Sequence, residues 1–194
     1  MLGVDPAAAG ATGYGVIETG PATGGSGRGC RMLRFGALAA ARTPAGEFPA
    51  RLRRIHALMC ELIKEFKPHA VAVESVFTAL NMKTALKLAE VHGVVLLAAA
   101  QAGVPVHSYS PREVKACVAG YGHAGKEQMQ IMVRALLNMT ETPEPADAAD
   151  ALAVALCHAQ AAEFGARLAA SRAAGIDGHA VSNRAAGRRI PISR

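Results

Sequence analysis

"MLGVDPAAAGATGYGVIE", residues 1–18, reads as a strand, a tight connection and a second strand. Leu2 and Val4 form a short apolar run that stops at Asp5-Pro6. Proline cannot donate to a strand ladder, so the run ends there. Small residues fill the connection, and "TGYGVIE" looks like the hairpin partner. A glycine-rich loop follows over 20–29, after which "CRMLRFGALAAAR" resumes as strand. Three consecutive strands, an antiparallel meander, are therefore expected to open the chain.

Beyond them the period changes. Ile55, Leu58, Met59, Leu62, Ile63 and Phe66 recur at three- and four-residue spacing between Arg51, Arg53, Arg54, Glu61, Lys64 and Glu65, which predicts an amphipathic helix from about Phe48 to Phe66. "PHAVAVE" has small or apolar residues on both faces, as at the centre of a sheet. A long apolar helix over 82–102 and a strand "VPVHSY" come next. "SPREVKACV" opens a helix with Ser110 as N-cap, Pro111 at its first position and Glu113 completing a capping box. "GYGHAG" is a loop, "KEQMQIMVRALLN" a helix, and "TETPEPA" leads into a last helix. Strands first, then helices alternating with strands, predict an α/β domain over 1–165 whose mixed sheet carries helices on both faces. After about Gly165 the pattern fades. Residues 166–194 read as a basic, flexible tail, with Arg172, Arg184, Arg188, Arg189 and Arg194 against one acid in the last 24 positions.

A chain of 194 residues can bury a substantial core as one domain. Alanine supplies much of its 51% hydrophobic content, and aromatics are few, which suits helices packed closely on a sheet. Net charge is +6, favouring a polyanionic partner without naming it. Cys30, Cys60, Cys117 and Cys157 are widely spaced and show no CxxC pair, as expected of free thiols in a reducing compartment. No signal peptide is recognisable, because Asp5 arrives so early. The apolar stretch "GVVLLAAAQAGVPV" is broken by Gln101, Gly103 and Pro105 and reads as too short to span a bilayer. A soluble cytoplasmic protein without membrane contact is expected.

The chain has four aspartates, and two of them, Asp147 and Asp150, stand together in "PADAADALAVAL" (145–156). They lie on one helix face, about 60° apart. Asp5 ends the first strand and Glu74 ends "VAVE". Carboxylates at the rim of a core need compensation. Arg or Lys partners could supply it. So could Mg²⁺, which takes oxygen ligands and keeps positions for water and substrate oxygens. Two such ions about 4 Å apart would activate a water and stabilise the leaving oxygen of a phosphodiester. Asp147 could equally just favour its helix N-terminus, and Asp5 just start a turn.

"GVDPAAAGATGYGVI", "VAVESVF", "YSPREVKACVAGYGHAGKEQ" and "PADAADALAVAL" resemble, in that order and over the first 160 or so residues, the motifs of RuvC-type Holliday-junction resolvases. The resemblance implies an RNase H-like fold and a homodimer. It also implies nicking of four-way DNA junctions with Mg²⁺, two ions per site with Mn²⁺ able to substitute, leaving 3′-hydroxyl and 5′-phosphate ends. The family's catalytic and metal-binding carboxylates fall on Asp5, Glu74, Asp147 and Asp150. Phe77 falls on an aromatic that stacks on bases at the crossover, a contact of roughly 1–3 kcal/mol per base. Lys115 and Lys126 fall near the scissile phosphate, Lys126 with the stronger case for a catalytic role, and Arg112 is a further phosphate-contact candidate. The helix over 82–102 is the expected dimer interface, its alternative being an intramolecular core helix. A branch-migration complex of the RuvA/RuvB type is the expected partner.

The sequence departs from the family where Pro6-Ala7 and a run of alanines replace the usual Pro-Gly, which bears on any positive-φ geometry there. The 20–29 loop is also longer and richer in glycine. Three other readings compete: an RNase H-like nuclease acting on structured RNA, an actin-like ATPase, and a junction-binding protein without catalysis. The ATPase reading needs far more chain. The third is opposed by the presence of all four acids.

Overall fold

The computed structural model describes residues 1–21, 28–39, 48–75 and 81–182. Five strands form one mixed sheet: β1 (Leu2–Asp5), β2 (Thr12–Pro21), β3 (Arg28–Leu38), β4 (Val71–Glu74) and β5 (Val106–Tyr109). Their spatial order is β3-β2-β1-β4-β5. The first three are antiparallel neighbours, whereas β1–β4 and β4–β5 are parallel. The expected meander is present, and its hairpin reaches further than the sequence suggests. Gly20 pairs with Gly29 and Pro21 with Arg28, so strand occupies both ends of the segment read as a 20–29 loop.

Helices α1 (Phe48–Phe66) and α2 (Met82–Gln101) cover one face of the sheet. There Ile55, Met59, Leu62, Val91, Val95 and Ala99 pack on Leu2, Val4, Val16, Val71 and Val73. Helices α3 (Pro111–Ala119), α4 (Lys126–Leu136) and the first turns of α5 (Ala146–Ser182) cover the other. Val114, Val118, Met129, Val133, Leu152 and Leu156 meet Ile17 and Ala72 there. Strand alternation sorts the residues: even positions of β1 and odd positions of β4 go to α1 and α2, and the complementary set goes to α5.

Local signals act as the sequence suggests for α3. The Glu113 N–H donates to Ser110 Oγ at 3.2 Å, and the Ser110 N–H donates to Glu113 Oε2 at 2.7 Å, with Pro111 at the start and Gly120 at φ 84° closing the helix. Two expectations change. Arg51, grouped with the polar face of α1, is buried and shares the stripe of Ile55 and Met59 at four-residue spacing. Helix α2, counted from Met82 rather than Gly93, is long and apolar enough by composition to cross a membrane. In the fold Val91, Val95, Ala98 and Ala99 seat one edge of it on the sheet, while Met82, Leu86, Leu96 and Leu97 stay exposed.

The chain divides into two compact units, Met1–Ala159 and Gln160–Arg194. Backbone helix continues through both to Ser182, well beyond the fading of the amphipathic pattern at Gly165. Alanine has the highest intrinsic helix propensity, which favours helix in this alanine-rich stretch. In the second unit the Arg167 guanidinium donates to Glu163 Oε1 at 2.6 Å. No disulfide forms among the described residues.

Candidate active site

Val4 pairs with Val73, so Asp5 and Glu74 leave two adjacent parallel strands at the same level. Asp5 shares the parity of Gly3, and Glu74 that of Ala72, which places both carboxylates on the α5 side of the sheet. Glu74 is also paired with Tyr109 at the end of β5, where the chain turns through Ser110 into α3 and brings Lys115 round. Lys126 is the first residue of α4, capped by Gly125.

What brings α5 within reach is missing side chains. A β-carbon on Gly13 would lie 1.8 Å from the Asp147 carbonyl oxygen, and one on Gly3 would lie 2.1 Å from that of Ala151. One on Gly15 would meet the Leu152 side chain at 2.6 Å. Gly3 pairs with Gly15, and Asp5 with Gly13, across the β1–β2 ladder. The opening turns of α5 thus rest directly on strand backbone, and Asp147 and Asp150 ride on those turns. These glycines were the site residues that sequence reading missed. Glycine weakens a strand and marks close backbone approach, so "GVD" and "TGYG" carried the signal.

The cleft that results has a volume of about 220 Å³ and is lined by Asp5, Glu74, Lys115, Lys126 and Asp150, with Pro111, Val114 and Met129 among its apolar walls. Its carboxylates are strained electrostatically. Burial, then the charges of Glu74, Asp150 and Asp147, push Asp5 up to about 8, opposed by Lys126. Burial and Asp150 push Glu74 up to about 7, opposed by Lys115. Burial raises Asp150 as well, with Lys126 and Lys115 opposing and Asp147 adding to the rise. Among the described residues none of these four acids has an ion-pair partner.

The structure brings five of the sequence candidates into one cleft: Asp5, Glu74, Asp150, Lys115 and Lys126. Asp147 does not line it, but its charge reaches both Asp5 and Asp150. Arg112 is exposed, outside the cleft lining, with its stem over the Gly122 backbone. Phe77 lies outside the described residues. A larger cavity of about 810 Å³, lined by Arg31, Phe35, Leu137 and Glu141, contains none of the acids.

No three His, Cys, Asp or Glu among the described residues are closed into a metal shell. The donor chemistry nevertheless fits hard divalent cations: every candidate ligand is a carboxylate, and Asp5, Glu74 and Asp150 are desolvated and repelled by their neighbours, which is the arrangement a multivalent cation relieves. Ala7 introduces no strain, since Lys67 and Asn138 are the non-glycine residues with positive φ among those described.

A mixed sheet with antiparallel β1–β3, parallel β4 and β5, and acids at the ends of β1, β4 and the start of α5 defines an RNase H-like nuclease fold. Residues 1–158 match the model of the family "Crossover junction endodeoxyribonuclease RuvC", and the chain belongs to that family. The relative from Moorella thermoacetica carrying that description is 49% identical over 165 residues, 84% of this chain and 93% of its own. The Thermus thermophilus RuvC structure superposes with a TM-score of 0.74 at 40% identity, covering 85% of this chain and 97% of that one. T. thermophilus RuvC in complex with a Holliday junction substrate gives 0.73 at 36% identity, with the same coverage.

Proposed function

We propose that this protein resolves four-way DNA junctions by paired, symmetric nicks in recombination and repair, leaving 5′-phosphate and 3′-hydroxyl ends that a ligase can seal. One observation carries the reading: carboxylates from β1, β4 and α5 share a single cleft with lysines from α3 and α4. Family membership supports it, as does the complex of the T. thermophilus relative with a Holliday junction substrate.

Asp5, Glu74, Asp147 and Asp150 would hold two Mg²⁺ ions, with Mn²⁺ an acceptable substitute. Such ions, when bound, supply a water of lowered pKa and stabilise the leaving oxygen of an in-line displacement. The protein's own groups do the rest. Buried carboxylates with raised pKa values lose their protons to bind cations, so the site fills as it ionises. Lys126 and Lys115 face the same cleft and neutralise phosphate charge, Lys126 acting on Asp5 and Asp150 and Lys115 on Glu74 and Asp150. The catalytic role goes to Lys126, which opens α4, where backbone N–H groups also favour an anion. Phe77 holds an unstacked base, and Arg112 contacts a flanking phosphate.

The enzyme acts as a homodimer, presenting two equal sites to a two-fold junction. Helix α2 supplies the interface: outside its buried edge, Met82, Leu86, Leu96 and Leu97 are exposed, and exposed Gly93 leaves room for a close helix contact. The basic segment from 166 adds salt-sensitive DNA affinity. A branch-migration complex of the RuvA/RuvB type would deliver the junction, in the cytoplasm.

The test is nicking of a synthetic four-way junction with and without Mg²⁺ by the parent protein and by Asp147→Asn. Paired nicks by the parent, with binding but no nicking by the variant, are expected. Equal cleavage by the variant would overturn the site, and preference for structured RNA over the junction would overturn the substrate.

A further inference from the structure

Asp5 is the last residue of β1, and beyond the buried Pro6 the connection that follows it offers no polar side chain to hold it through Ala11. Ala7, Ala8, Ala9 and Gly10 carry no side-chain hydrogen-bonding group. None of them takes positive φ, so no left-handed residue locks the turn. The anchor comes from another element. On α1 the Arg51 guanidinium donates to the carbonyl oxygens of Ala7 at 2.7 Å, Gly10 at 2.6 Å and Ala8 at 3.2 Å. Arg51 is only 6% exposed, and no carboxylate among the described residues pairs with it.

A buried cation whose hydrogen bonds among the described residues all go to main-chain oxygens is an expensive arrangement. A planar fork with donors at fixed angles can bind three carbonyls of one turn at once, which a flexible ammonium does less well. The contacts gather the turn against the first turn of α1, whose next turns, through Ile55 and Met59, are fixed in the core. We propose that Arg51 is a positioning residue of the nuclease site: it clamps the connection leaving Asp5, so that this carboxylate is held ready for the cation. This rests on the reading of Asp5 as a metal ligand given above.

The sign of the effect separates positioning from charge. Removing a cation would, by charge alone, leave the hold of four carboxylates on a metal ion unchanged or tighten it. Loss of positioning loosens it, since groups that orient a ligand typically contribute 10- to 100-fold in metal affinity. The experiment measures Mn²⁺ binding to the full chain without DNA, by electron paramagnetic resonance, together with hydrogen exchange over residues 5–12 and metal-free junction binding. Arg51→Met is expected to weaken Mn²⁺ about tenfold and to speed exchange in the turn, with junction affinity within about twofold of the parent. Arg51→Lys should fall between, and it carries the test if Arg51→Met does not fold. Ile55→Val, a core change one turn along the same helix, should leave Mn²⁺ affinity unchanged. Mn²⁺ binding by the Arg51 variants as tight as the parent's or tighter overturns the proposal, as does equal weakening by Ile55→Val. Asp5→Asn keeps the two readings apart. If it binds Mn²⁺ normally, the assignment of the site itself fails; if it loses binding while the Arg51 variants do not, only the role of Arg51 fails.

Discussion

The two faces of the sheet are built on opposite plans. Towards α1 and α2 the strands present Leu2, Val4, Val16, Val71 and Val73, fully buried branched side chains that fill the space between layers. Towards α5 the same strands present Gly3, Gly13, Gly15 and Ala72, and then Asp5 and Glu74. Packing on the first face makes stability. On the second, side-chain volume has been removed so that a helix can approach the backbone and set its aspartates beside the strand-end acids. Gly3 and Val4 are adjacent in sequence and serve these different ends. Function on the second face is bought with apolar area and with like-charge repulsion.

The sharpest way to break that division is to remove a single charge. Asp150→Asn should reduce nicking about 10³-fold or more while junction binding persists, because it deletes a group whose charge reaches Glu74 directly and which lines the cleft. The core should not notice: the thermal midpoint without metal should hold or rise, since one member of a repelling cluster is gone. Single-turnover cleavage and thermal melting check the two halves. By contrast, Leu62→Ala on the other face should cost about 2–5 kcal/mol in stability and leave cleavage per folded molecule near the parent value.

A second test acts on shape. Gly13→Ala would put a methyl 1.8 Å from the Asp147 carbonyl oxygen, so strand and helix must part by more than about 1 Å to restore ordinary contact. A displacement of that size at a catalytic group costs about 10²-fold in rate. Gly15→Ala meets the Leu152 side chain, which can partly yield, and should cost less. If the two variants nick equally well, α5 is not positioned by the glycines.

Much of this was legible in the chain itself. Asp5 at the end of an apolar run, Glu74 at the end of "VAVE" and the one-face spacing of Asp147 and Asp150 stood out as candidates. A turn residue at Asp5 and a helix-start acid at Asp147 nevertheless stayed equally open until the family resemblance joined the four. The α3 capping box, a purely local device, read out directly. Arg51 escaped notice because an arginine on an apolar stripe is normally assigned to solvent, and only tertiary contacts reveal three carbonyls waiting for it. The glycines escaped because their role depends on a helix more than 130 residues later in the chain. Which lysines share the cleft was fixed by the turns after β5 and before α4, not by any periodic pattern. That Arg112 faces elsewhere followed from its place on the exposed side of α3.

Proton linkage gives a third, smaller effect. Asp5 at about 8 and Glu74 at about 7 are both largely protonated below pH 7 without metal, and cation binding must expel those protons. Mg²⁺ affinity should therefore fall about tenfold or more per pH unit below pH 7, and level off above about pH 8. Calorimetry in buffers of different ionisation enthalpy counts the protons released. Stability without metal should run the other way. Both folded-state values lie above the unfolded ones, so this cluster's favourable contribution is complete below about pH 4 and is lost as pH rises towards 8. A metal affinity independent of pH between 6 and 8 would remove the electrostatic account of the site.

The smallest predicted effect marks where the site ends. Glu113→Ala removes the reciprocal cap of α3 and should cost about 1 kcal/mol at pH 7. The hydrogen bonds from Ser110 hold the Glu113 carboxyl below its ordinary range. Its contribution is therefore present above the unfolded value and fades as pH falls through the folded one, so parent and variant should converge in acid. Lys115 lies two residues further on and faces the cleft, yet α3 is also held by Val114 and Val118 in the core beneath α5. If that packing is enough to hold Lys115, cleavage should stay within about threefold of the parent despite the loss of the cap, whereas Lys115→Met should lower it further by leaving Glu74 less opposed. Equal losses for the two variants would mean that the cap, and not the core, aims the lysine, and the boundary between stability and function would then run through the first turn of α3.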